Sequence, residues 1–234
     1  MKIVSNEKLI KRNKKIGQIT TVAALAVLGI GLYFSFAKPE QITITFGALL
    51  VGFMLTQVGV FYGNRWGRSP RPDELISASL KGLEDKYVLY HYTAGIAHLL
   101  TGPTGVWALV PTPAGGKITY DEGKGRFRQK GGNFYMKLFG QDSIGRPELD
   151  AQYALTDLKK SFQKNAGGLN LPEPHAVMVF TNPKAELEAF DSPLPAVAVE
   201  KLKDFIRKQT KGSPEEFEVI KSLQKALPSA DTFE

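Results

Sequence analysis

The chain opens with two long runs that carry no charge, then changes to short apolar stretches punctuated by glycine, proline and charged residues. Residues 17–37 hold no Asp, Glu, Lys or Arg over 21 positions, and residues 42–63 hold none over 22. At about 1.5 Å per residue, each run can cross a hydrocarbon layer of roughly 30 Å as a helix. Two membrane spans are therefore predicted, at 17–37 and 42–63, behind a basic N-terminal segment, 1–16. The first run has a competing reading as a cleavable signal, because basic residues precede it and Ser35-Phe36-Ala37 has a small-x-small form. A signal's apolar stretch is typically about 7–15 residues, shorter than this run. The second run would anchor the chain in either case; its own competing reading is a buried core helix.

Beyond a short Arg/Pro-rich linker, 64–73, the pattern becomes that of a folded domain, 74–210, with a C-terminal helix and tail, 211–234. Asp73 can cap a helix over Glu74–Lys86, with Leu75, Ala78, Leu80 and Leu83 on a loose apolar face. Tyr87–Tyr92 is aromatic and β-branched and predicts a strand. The runs Ala97–Thr101 and Val106–Val110 flank Gly102-Pro103-Thr104-Gly105, which is hairpin chemistry. Lys117–Tyr120 and Arg126–Gln129 predict a second, polar hairpin at a sheet edge. After a Gly-rich loop come a helix over Glu148–Asn165, strands over Ala176–Thr181 and Ala196–Val199, and a helix over Glu200–Lys208. A last helix opens at Ser213-Pro214 and runs to about Leu227, with serine as cap and proline in the first turn. This order predicts an α+β domain, a central mixed sheet flanked by helices.

Charge then orients the chain. Lys2, Lys8, Lys11, Arg12, Lys14 and Lys15 precede the first span and Arg65, Arg68 and Arg71 follow the second, so the positive-inside rule places both termini in the cytoplasm of a multi-pass cell-membrane protein. Tyr33 near the outer side, and Tyr62 and Trp66 near the inner side, fall where amphipathic rings favour the interface. Residues 1–71 hold 10 basic and 2 acidic residues, whereas residues 72–234 hold 20 and 21. The positive excess is thus juxtamembrane and argues for contact with anionic lipid more than with nucleic acid. With no cysteine in the chain, disulfides and cysteine metal sites are excluded.

The stretch Asp73-Glu74, then YVLYHY, then IAHLLTGPTGVWALVPTPAGGKI resembles the nuclease-related domain of many bacterial proteins, often found beside membrane spans. The resemblance covers about residues 72–182 and implies a restriction-endonuclease-like fold. It also implies a site pattern: a glutamate in the first helix, an aspartate opening the first hairpin strand, and Glu-x-Lys closing the second. Glu74 matches the first position, but the others fall on Ala97, Val110 and Thr112. No Asp or Glu lies between Asp85 and Asp121. Gln152 matches a glutamine common in the group.

Two carboxylates are what normally hold a divalent cation for phosphodiester hydrolysis. Alanine and valine cannot replace them, nor threonine the lysine. The expectation is therefore a degenerate member, a non-catalytic binding or assembly module with no catalytic residue, metal or cofactor, held at the bilayer. Two further readings stay open. One is an active membrane-tethered nuclease using Mg²⁺, Glu74 and acids from elsewhere, with Asp121 and Glu122 read first as solvated turn residues. The other is an accessory subunit of a membrane complex with a protein partner.

Remaining chemistry is sparse. His91 and His98 match no ligand spacing and read as ordinary strand histidines, and Tyr87, Tyr90 and Tyr92 as residues packed on sheet faces. Lys117, Lys124, Arg126, Arg128 and Lys130 form the one basic cluster of the soluble part, read as protection of an exposed edge or as a grip on nucleic-acid or lipid phosphate. Gly59 and Gly63 make one Gly-x3-Gly pair, a hint of close helix packing.

Overall fold

A computed structural model describes residues 1–138, 140–189 and 191–233, without the side chains of Ala230 and Asp231. The chain divides into two compact units, residues 7–71 and residues 1–6 with 72–234.

The first unit is a helical hairpin of α1 (Glu7–Ala37) and α2 (Ile42–Tyr62), followed by a π-helical turn at Gly63–Gly67. Helix α1 starts ten residues before the uncharged run, because Glu7 complements the helix N-terminus and residues 8–16 contain neither glycine nor proline. Pro39 closes it. Both apolar helices are long enough to cross a membrane. Their large side chains point outward, Val22 and Leu25 67 % exposed and Phe36 81 %, whereas the buried positions include Gly17, Ala24, Gly31, Gly52 and Gly59. Small inside and large outside reverses a water-soluble hairpin and suits lipid.

The close approaches differ from the Gly59/Gly63 pair that the sequence suggested. A Cβ on Gly31 would lie 2.7 Å from the Ala48 Cβ, and one on Gly59 2.6 Å from the Thr21 Oγ1, whereas at Gly63 nothing lies within 4 Å. The interhelical contact therefore runs through Gly17, Gly31, Gly52 and Gly59, and Gly63 enters it only by its backbone, whose N would lie 3.3 Å from a Cβ on Gly17.

The second unit is built on a six-stranded sheet. Its strands are β1 (Lys2–Ser5), β2 (Val88–His91), β3 (His98–Gly102), β4 (Gly105–Thr112), and, later in the chain, β7 (His175–Phe180) and β9 (Ala196–Ala198). They lie in the order β1-β2-β3-β4-β7-β9. β2, β3 and β4 form an antiparallel meander, and β1, β7 and β9 join it in parallel. A smaller sheet, ordered β6-β5-β8, is made of β5 (Gly116–Asp121), β6 (Arg126–Lys130) and β8 (Ala185–Glu188).

Helices cover both faces of the large sheet, which is why its strands are nearly all apolar rather than alternating. On one face α3 (Pro72–Leu80) and α6 (Leu202–Lys208) meet Leu89, Leu100, Trp107, Leu109, Val177 and Val179. On the other, α5 (Pro147–Ala166) and α7 (Pro214–Ala226) meet Val4, Val88, Tyr90, Leu99 and Val106. α7, read from the sequence as part of a separate tail, thus buries Ile220 and Leu223 in the same core; Ser213 and Glu216 form its capping box.

Four local features depart from the sequence reading. Residues 2–5, placed in a basic terminus, form β1, with Lys2 to Ser5 in register with Val88 to His91. α3 ends at Leu80 rather than Lys86, since Gly82 adopts φ +85° and turns the chain. The Gly-rich loop contains a short helix, α4 (Phe134–Leu138), and β8 had no predicted counterpart.

Strand directions give this unit a polarity. β1, β2, β4 and β7 run parallel to one another, so their C-terminal ends share one end of the sheet. From that end the chain leaves β1 for the hairpin, and the small sheet extends beyond β4 and β7. α3 reaches that end too: the Ser77 hydroxyl, just past the middle of the helix, lies 2.8 Å from His91 Nε2 at the end of β2.

Two outcomes follow. Gly31→Ala should lower the thermal midpoint of the full chain in detergent even though alanine is the better helix former, whereas Gly47→Ala, with nothing within 4 Å of its new methyl, should leave it unchanged or raise it. Burial pushes the Tyr90 phenol up from 10 to about 12. The folded domain favours the neutral ring, so this stabilisation is complete below the unfolded value of about 10 and is lost as pH rises through the folded one. A phenolate absorbance titration should show a late-ionising component that Tyr90→Phe diminishes.

Candidate functional site

Glu74 lies in the first turn of α3, Ala97 immediately precedes β3, and Val110 and Thr112 lie at the end of β4. Antiparallel pairing of β3 with β4 puts Ala97, Val110 and Thr112 at one end of the hairpin. They do not form a polar site. Val110 is 8 % exposed and packs in an apolar cluster with Ala108, Ala151 of α5 and Ala176 of β7. Thr112 is buried, and its carbonyl accepts from the Thr181 N–H at 3.0 Å. The core contacts of α3 lie on the opposite face of the sheet from Val110. Gln152 is exposed on α5, where its neighbour Ala151 makes the contact with the Val110 cluster.

Sequence reasoning did not single out Glu148, which lies one turn before Ala151 on the same helical face; its Oε2 is buried with no hydrogen-bond partner among the described residues. Its signal was only its helical spacing from a small residue. Among the described residues no three His, Cys, Asp or Glu side chains form a group able to hold a metal ion.

The two strand histidines form a pair, each 1 % exposed. His91 Nδ1 and His98 Nδ1 are 2.8 Å apart, and His91 Nε2 is 2.8 Å from the Ser77 Oγ. Two ring nitrogens at that separation must share one proton, so one ring donates and the other accepts. Either direction gives a consistent chain: Ser77 donates to His91, which donates to His98, or both bonds run the other way. The relay couples α3 to the β2–β3 hairpin through buried, directional bonds. Tyr92, at φ +58°, turns the chain after β2 and sets its ring 5.2 Å from His98. The residue types were visible in the sequence, but their facing arrangement came from the β2–β3 register, which sets His91 opposite His98.

The basic cluster lies on the small sheet. Lys117 pairs with Glu188 at 2.6 Å and Arg128 with Asp121 at 2.7 Å. Asp121 also accepts from the Lys124 N–H, which makes it a turn residue of that hairpin rather than part of a site near Val110. Lys124, Arg126 and Lys130 are exposed, with no carboxylate partner among the described residues. The sheet is held by Asp142, 4 % exposed, which accepts from the backbone N–H groups of Gly115 and Asn133 and from the side-chain amides of Gln129 and Asn182.

No family model, curated protein or solved structure matches this chain. What the fold defines is an α+β domain carrying a membrane-type helical hairpin.

Truncating His98 to Leu leaves one buried hydrogen-bonding position of His91 unmet and should cost about 1–3 kcal/mol, whereas Ser77→Ala should cost about 0.5–1.5 kcal/mol. Thermal unfolding of the full chain in detergent would read both.

Proposed function

We propose that this chain is a membrane-anchored relative of the nuclease-related domains whose domain binds or assembles at the cytoplasmic face and does not cut. The observation that carries this reading is Val110: the position of the expected metal-binding glutamate lies in an apolar cluster with three alanines. A carboxylate there would have to lose its hydration without a partner. The helix, hairpin and strand-end placement of Glu74, Ala97, Val110 and Thr112 supports the relationship, and their chemistry supports loss of the reaction. Placement on one side of the membrane is supported by β1: it precedes the hairpin yet pairs with β2, which follows it, so a spanning hairpin must return to the side it left. The basic flanks make that side the cytoplasm.

The test uses the full chain in lipid nanodiscs with single- and double-stranded DNA and RNA, in Mg²⁺ or Mn²⁺. No cleavage is expected. Turnover that disappears in Glu74→Gln or Glu148→Gln would overturn the reading.

A further inference from the structure

We propose that α4 and its basic rim form a second membrane contact, a patch that dips into the head-group layer of an anionic bilayer while the hairpin spans it. The proposal deepens the membrane-anchored reading and rests on the hairpin being inserted.

The patch departs sharply from the rest of the domain. Phe134 and Tyr135 are each 75 % exposed and Leu138 72 %, with Met136 at 42 %. Four large apolar or aromatic side chains within five residues are an unusual surface to leave in water. Aromatic rings with an apolar body suit the interface between head groups and acyl chains. The two edges of the patch are basic. Lys130 precedes it, exposed at the end of β6, and Lys137 within it reaches back to the Gly131 carbonyl. From Gly116 to Leu138 there are six basic and two acidic residues, in a domain whose overall balance is near neutral. Aromatic side chains beside lysine are the composition of helices that lie in a bilayer surface.

Topology selects the bilayer as the occupant. The small sheet that carries α4 is attached beyond the C-terminal ends of β4 and β7. β1 ends at that same end of the large sheet, one residue before the hairpin begins at Glu7. α3 begins at Pro72, directly after the hairpin unit, and its Ser77 meets His91 at that end as well. The apolar patch is therefore carried at the end of the domain where both connections to the spans emerge. A bilayer held there by two covalent tethers has a high effective concentration, so even a small inserted area suffices. Each near-surface basic residue adds about 1 kcal/mol on anionic lipid.

With no native cysteine, single-cysteine variants of the full chain carry one label each. Phe134→Cys, Leu138→Cys, Lys81→Cys and Leu25→Cys would each be labelled with an environment-sensitive fluorophore. The labelled chains would be placed in nanodiscs of neutral or 30 % anionic phospholipid, with and without doxyl-labelled lipid. Lys81 lies at the opposite end of the domain, at the end of α3, and Leu25 lies in the hairpin. The expected result is blue-shifted, doxyl-quenched emission at 134 and 138, stronger in anionic lipid, with water-like emission at 81. Lys130→Gln with Lys137→Gln should reduce the inserted-to-free ratio about fivefold per charge removed. Water-like, unquenched emission at 134 and 138 while Leu25 is quenched would overturn this proposal and leave the anchored reading intact. An unquenched Leu25 would overturn both. Label proximity between copies without lipid quenching would mean that the patch is a self-association surface, and would also overturn it.

Discussion

Pairing of β1 with β2 is the constraint on which the arrangement of this protein depends. Four residues before the hairpin form a parallel ladder with four residues after it, Lys2 to Ser5 with Val88 to His91. A parallel pair needs a long crossover, and here the helical hairpin together with α3 makes that crossover. The segments that flank the hairpin on both sides consequently belong to one domain, and the chain leaves β1 at the end of the sheet where His91 closes β2.

The rest of the domain is organised by the same polarity. The large sheet is covered on both faces, so strand residues alternate between two cores rather than between core and water, with Leu89, Trp107 and Leu109 on one side and Val88, Tyr90 and Val106 on the other. Polar chemistry is left for the strand ends. There the Ser77–His91–His98 relay stands on the α3 face and the Val110 cluster on the α5 face. The first joins α3 to the β2–β3 hairpin, and the second is apolar. Exposed charge and apolar area concentrate instead on the small sheet and α4.

Much of this was legible beforehand. The uncharged runs, the Gly-Pro-Thr-Gly hairpin, the amphipathic α5 and the Ser213 cap all rest on local rules, with periods of 3.6 or 2 residues, turn chemistry and end-capping, and apart from the ten-residue earlier start of α1 each element formed within a few residues of its expected bounds. β1, β8 and α4 were illegible for a common reason. β1 and β8 are four residues long and α4 five, too short to show a period, and the two strands take their identity from partners distant in the chain. The site divides in the same way. Absence of acids at Ala97 and Val110 is a property of residue types and could be read directly. The burial of Glu148 Oε2 and the facing of His91 on His98 could not.

By itself, then, the sequence determined the chemistry available: which helices are apolar enough for lipid, where positive charge gathers, and that no acid lies between Asp85 and Asp121. Only the tertiary structure decided what meets what. Strand register put two histidines seven residues apart within one hydrogen bond, and the rotation of the two helices decided which glycine faces inward, Gly31 toward the Ala48 Cβ while a Cβ on Gly63 would meet nothing within 4 Å. Composition and periodicity act along the chain, over one or two turns; register, facing and burial act across it, between residues that meet only when the whole sheet closes.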